Sequence, residues 1–135
     1  MRKSDMIAYY TPVRRFGEYH REEHKGYIWI YREGEEVFTF AIRKGDTGKG
    51  YQVDEYHTGL KVGGNYASIR SAAASIIFMI KYHDLLGTIR RTHQIKLMRD
   101  GQLLNPVSPA ETFPECCYPL NENTMKEGDN AVKEP

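Results

Sequence analysis

Between Gly26 and Arg43 the chain alternates. Tyr27, Trp29 and Tyr31 interleave with Ile28, Ile30 and Arg32; after Glu33-Gly34, Val37 to Arg43 places Phe38, Phe40 and Ile42 on one face. A period of two sends successive side chains to opposite faces of a strand, and aromatic and β-branched residues favour that state. Gly34 suits a tight turn because it adopts positive φ without steric cost. The two runs predict a β-hairpin, which commits the chain to an antiparallel sheet.

The rest is read around that hairpin. Lys44 to Gly50 is a glycine-rich connection, Tyr51 to His57 a third strand, and Thr58-Gly59, Gly63-Gly64 and Asn65 mark turns. Ser68 to Leu86 predicts one long helix, with Ser68 as N-cap and Gly87 as its stop. Ile69, Ala72, Ala73, Ile76, Ile77 and Ile80 form its core stripe. Ala74, Phe78 and Leu85 lie nearly opposite, so Phe78 and Leu85 are expected to bury against a second chain or the 103–120 segment. His93 to Met98 alternates again and reads as a strand, with Asp100-Gly101 as a hairpin turn into Leu103-Leu104. Before Gly26 the signals are weak. Met6 to Tyr10 is a short apolar run stopped by Thr11-Pro12, so residues 1–25 read as a weakly structured lead-in. Prolines gather at 106, 109, 114 and 119, and 121–135 reads as a mobile acidic tail.

The expectation is one α+β domain over 1–120, an antiparallel sheet of four to six strands with one long helix packed on one face. Three strands and then a helix, over about Gly26 to Leu86, resembles in element order the small integrase-type DNA-binding module and some single-strand-binding folds. No motif accompanies the resemblance, and fold alone implies no activity.

The net charge of +1 conceals an uneven distribution. Residues 1–60 are balanced, residues 61–99 carry seven Lys/Arg against Asp84 alone, and residues 100–135 carry seven Asp/Glu against two lysines. Such asymmetry points to a polyanion-binding surface with an acidic tail, although a solvated basic face partly neutralised by that tail fits the same numbers. No apolar run approaches the ~20 residues of a membrane span. The two cysteines, Cys116 and Cys117, are adjacent, cannot staple the fold, and indicate a reduced, cytoplasmic protein.

Motifs for catalysis fail on spacing or context. His20-x-x-Glu23-His24 matches an inverted zinc-protease signature, but nothing marks a buried helix there. Gly45 to Gly50 lacks the spacing and the hydroxyl of a phosphate loop. Cys116 and Cys117 stand in an acidic setting that discourages a thiolate. No catalytic, metal or small-molecule cofactor site is expected.

Two readings remain. The first is a non-enzymatic nucleic-acid-binding accessory or regulatory protein. Its basic surface would comprise Arg70, Lys81, Arg90, Arg91, Lys96 and Arg99, with Lys44 and Lys49 in a loop. If Ile28, Ile30 and the Phe38 face pack on the helix, Trp29 and Tyr31 turn outward as a stacking platform for bases; packing in the core, in a dimer seam or under the C-terminal segment is the competing placement. The second reading is a protein-interaction module, such as an inhibitor or adaptor from a mobile element, binding a protein partner or a second copy of itself.

Overall fold

The computed structural model describes residues 1–122. In chain order its elements are β1 (Ile7–Arg15), β2 (Glu18–Glu33), β3 (Glu36–Lys44), β4 (Tyr51–Glu55), β5 (Lys61–Tyr66), α1 (Ile69–Tyr82), α2 (Leu85–Asp100), α3 (Pro109–Thr112) and β6 (Cys117–Pro119). The first five strands form an antiparallel meander in the order β1-β2-β3-β4-β5, and β6 joins in parallel beside Ile28–Ile30 of β2. The α+β class and the sheet size agree with the sequence reading. Because five strands precede the helices, the three-strand resemblance in element order does not hold.

The predicted hairpin is the centre of this sheet. Tyr27, Trp29 and Tyr31 sit opposite Ile42, Phe40 and Phe38, so both sets share one face. That face is covered by α1 and the start of α2, through Ile69, Ala72, Ala73, Ile76, Leu86 and Ile89. Trp29 is wholly buried there, which overturns the outward stacking platform; Tyr31 lies half-buried at the core's edge. The physical reason is the register: with Trp29 opposite Phe40, whichever face takes the phenylalanines takes the tryptophan as well.

The other face carries Ile28, Ile30 and Ala41, which pack with Tyr9 and Tyr56. Tyr9 reaches it by register: it sits opposite His24, which shares a face with Ile28 and Ile30, and it lies against Gly26, where a Cβ would meet the Ile42 carbonyl at 3.0 Å and the Tyr9 ring at 3.3 Å. A buried polar network fixes Tyr9 in this place. The Tyr9 hydroxyl donates to Asp54 Oδ2 (2.7 Å), Arg43 Nε donates to the same oxygen (2.9 Å), and Gln52 donates to Oδ1 (2.9 Å). Arg43 is therefore an internal cation, bonded also to Asp46 (2.9 Å).

The helical region differs from one long helix. Ser68 caps α1 as expected, accepting from Ser71 N–H at 3.0 Å, but α1 ends at Tyr82. Asp84 takes a left-handed conformation (φ 49°, ψ 42°), which Asp tolerates better than most residues, and a second helix starts at Leu85. The two helices meet at 88°. Gly87 stops nothing; it lies in the first turn of α2, where a Cβ would press on the Asp84 carboxylate at 2.5 Å. The expected strand at His93 to Met98 belongs to α2, and Gly101 (φ 80°) is that helix's left-handed terminator rather than a hairpin turn. Gly63, Gly64 and Asn65 lie within a bulged β5 rather than a turn.

Residues 7–26 are not a loose lead-in. They form an antiparallel arm, with Ile7 opposite Gly26 through to Arg15 opposite Glu18. Pro12 is accommodated because β1 is an edge strand, where a missing N–H costs no ladder bond. Of the expected acidic tail, only Asn121 and Glu122 fall among the described residues.

Candidate nucleic-acid interface

The sequence pointed to one basic surface over 61–99, and the structure divides it. Arg90, Arg91, Lys96 and Arg99 all lie on α2, but Arg90 and Arg91 stand about 120° and 140° around the helix from Lys96, at 100° per residue. Arg90 is spoken for: it lies over the Phe38 ring and donates to Glu36 (2.8 Å) and Glu33 (3.1 Å) of the β2–β3 turn. That guanidinium holds the Glu36 carboxyl below its ordinary range, an effect that water screens at so exposed a pair. Arg91 lies 3.7 Å from Asp84. Arg70 is exposed in the first turn of α1, and Lys81, in its last turn, pairs with Glu122. Lys44 lies over the Tyr51 ring at 4.3 Å, and Lys49 is exposed in the β3–β4 loop. Phe78 stays 54% exposed against Tyr82 and His83, while Leu85 is half-buried against the core at the start of α2.

Lys96 and Arg99, about 60° apart on α2, face a different region. They line a cleft of about 720 Å³ whose opposite wall is the arm, through Pro12, Tyr19, His20 and Arg21. Thr58, Leu60, Leu103 and Leu104 supply further lining. A volume of this size lies within the usual range for ligand sites, about 300–1,000 Å³. Arg99 shares its charge with Asp100 at 3.4 Å, an exposed pair that water screens. Among the described residues, no carboxylate comes within ion-pair distance of Arg21 or Lys96.

The register of the arm assigns its two faces. Tyr10, Pro12 and Arg14 share one face with Tyr19, Arg21, Glu23 and Lys25, whereas Arg15 shares the other with Glu18, His20, Glu22 and His24. The second face is neutralised internally: Glu22 accepts from Arg15 (2.7 Å) and lies 3.0 Å from His24. On the first face, cations meet rings instead. Arg21 lies over Tyr10 at 4.5 Å and Arg14 over Tyr19 at 5.5 Å. Aromatic and guanidinium groups thus alternate along the arm from the cleft outward. A ring behind a guanidinium fixes its plane and leaves its N–H edge directed at an incoming anion.

Two devices hold the arm in place. Asn105 completes the edge of β1: its side chain accepts from Tyr10 N–H (2.8 Å) and donates to the carbonyls of Tyr10 (2.8 Å) and Tyr56 (2.7 Å). Beside it, Gly59 (φ 69°) approaches so closely that a Cβ would stand 2.4 Å from the Tyr10 carbonyl. Behind the cleft, buried Glu55 gathers Thr58 N–H (3.0 Å), Thr58 Oγ1 (2.8 Å), His57 N–H (3.1 Å) and the His93 ring of α2 (2.8 Å). Burial opposes ionisation of Glu55, but the His93 ring and the other donors outweigh it and hold the carboxyl below its ordinary value. The Glu55–His93 bond ties α2 to the β4–β5 turn, and so sets one wall of the cleft relative to its floor.

The arm ends in a two-residue turn, Phe16-Gly17, with φ of 53° and 79°. Both signs are positive, as a type I′ hairpin requires. Gly17 suits this; Phe16 does not, and an L-residue with a bulky side chain there costs about 1–2 kcal/mol. Phe16 is 104% exposed, the most exposed of the large apolar side chains.

Sequence reasoning missed Tyr10, Arg14, Tyr19 and Arg21. The available signal was Gly17, flanked by runs in which Tyr19, Arg21, Glu23 and Lys25 alternate with Glu18, His20, Glu22 and His24. Among the described residues, no group of three or more His, Cys, Asp or Glu is arranged to hold a metal ion, and no single helix is long and apolar enough to cross a membrane. Cys116 and Cys117 are both free thiols, and burial together with nearby carboxylates pushes their pKa values up. No family model, curated protein or solved structure matches the chain.

Proposed function

We propose that the protein is a small cytoplasmic nucleic-acid-binding accessory protein that holds a strand between the β1–β2 arm and the C-terminal half of α2. The observation that carries this reading is the cleft that Arg21 and Tyr19 line together with Lys96 and Arg99, with Arg21 set over the Tyr10 ring and Arg14 over the Tyr19 ring beside it. Basic groups suit phosphates, and exposed rings suit the faces of unpaired bases, each base–aromatic stack contributing about 1–3 kcal/mol. An unpaired strand fits better than duplex, because the rings interleave with the cations along a single face. The test is fluorescence anisotropy with labelled single- and double-stranded oligonucleotides at low and physiological salt. Single strands are expected to bind more tightly, with Arg21→Glu weakening all sequences alike; no binding to either at low salt ends the reading.

A protein partner is the second reading. Phe78 and Tyr82 favour it, in tilted contact with ring centroids 4.9 Å apart and exposed on α1 away from the cleft. Binding there would depend little on salt.

A further inference from the structure

We infer that Phe16 is a base-stacking wedge: the arm lays a single strand along its Tyr10–Arg14 face and sets the Phe16 ring against the base pair where that strand enters a duplex. The inference rests on the nucleic-acid reading above and adds to it a substrate class, the junction between single- and double-stranded nucleic acid.

Three observations converge on the tip. The ladder runs from Arg21 and Tyr19 in the cleft wall through Arg14 to the turn, so a strand following it is delivered to residue 16. Phe16 is fully exposed and clear of the body of the protein. Its backbone occupies a left-handed position for which Asn, Asp or Gly is favoured, so the turn itself does not call for an aromatic residue. A strained, solvated phenyl ring fits a role outside the fold. Apolar side chains on projecting elements wedge between base steps and unstack them, and a planar ring can replace the stacking that the displaced base loses. Arg14, two residues before the tip and on the ladder face, stands where a phosphate flanking that step would lie.

The experiment uses the full chain and three labelled probes: a single strand, a blunt duplex, and a forked duplex with 2-aminopurine at the junction pair. Binding is read by anisotropy, and unstacking by the rise in 2-aminopurine fluorescence. The fork is expected to bind most tightly and to brighten. Phe16→Asn, which suits the turn, is expected to weaken fork binding about 5- to 150-fold, abolish the brightening and leave single-strand binding within about twofold. Phe16→Ala gives the same pair of readouts in a tip that does not favour the turn. Fork preference and brightening that persist in both variants overturn the wedge while leaving the strand-binding reading intact, and direct attention to a protein pocket as the target of the tip. Equal loss on fork and single strand also overturns it, making Phe16 one more rung of the ladder. No binding of the unsubstituted protein to any probe removes both inferences together.

Discussion

Residue 16 and residue 43 show opposite uses of an unfavourable state. Phe16 carries backbone strain at an exposed tip, so Phe16→Asn is expected to raise stability by on the order of 1 kcal/mol, read as a higher midpoint in urea unfolding. Arg43 is a buried cation whose cost is offset by Asp54 and Asp46. Arg43→Met leaves the Asp54 carboxylate in the interior without its counter-charge. A loss of about 3–5 kcal/mol is expected in the same assay. The burial of Tyr9 and its bond to Asp54 push the phenol's pKa far up, so that hydroxyl remains a donor throughout the accessible pH range. Ile76, wholly buried on α1, is expected to cost about 2–5 kcal/mol when cut to Ala, the ordinary consequence of a core cavity.

At the scale of elements, the arm and α2 are placed by few contacts. Gly59→Ala would drive a Cβ into the Tyr10 carbonyl at a positive φ, so the β4–β5 turn must withdraw from β1. The expected outcome is a loss exceeding ~1 kcal/mol, with faster hydrogen exchange at Tyr10 and Asn105, where the clamp forms. The seat of α2 depends on ionised Glu55. Its folded pKa is depressed, so its contribution is complete above the ordinary value of 4.5 and is lost as pH falls through the lower folded value. Glu55→Gln is therefore expected to be less stable than the parent at neutral pH, with the gap closing in acid. Urea midpoints at pH 7 and about pH 3 make the comparison.

For the whole molecule, charge matters by placement more than by count. The seven basic residues of 61–99 promise one surface, but Arg90 is absorbed by Glu33 and Glu36, and only Lys96 and Arg99 face the cleft. Arg90→Glu is accordingly expected to lower stability while leaving oligonucleotide affinity unchanged. Arg21→Gln with Lys96→Gln is expected to flatten the single-strand log K against log salt slope by about 1.4, from ~0.7 per phosphate contact. The residues by themselves determined the central hairpin, the α1 core stripe with its Ser68 cap, and the α+β class, because these rest on local periodicity and on a side chain bonding its own neighbours. The same residues left open which face of the hairpin is covered, since Trp29 and Ile28 are both apolar enough to bury and both faces are in fact covered. The arm was hidden because its strands are two-sided and polar: charges alternate with charges, and no apolar period survives. The six residues from His93 to Met98 fit a strand as well as a helix, and α2 prevails because Leu86, Ile89 and His93 find the core and Glu55 on one side of a helix. Only the folded chain could bring Arg21 to one cleft with Lys96, residues 75 positions apart, because that juxtaposition depends on the β1–β2 register, the left-handed break at Asp84 and the Asn105 clamp acting together.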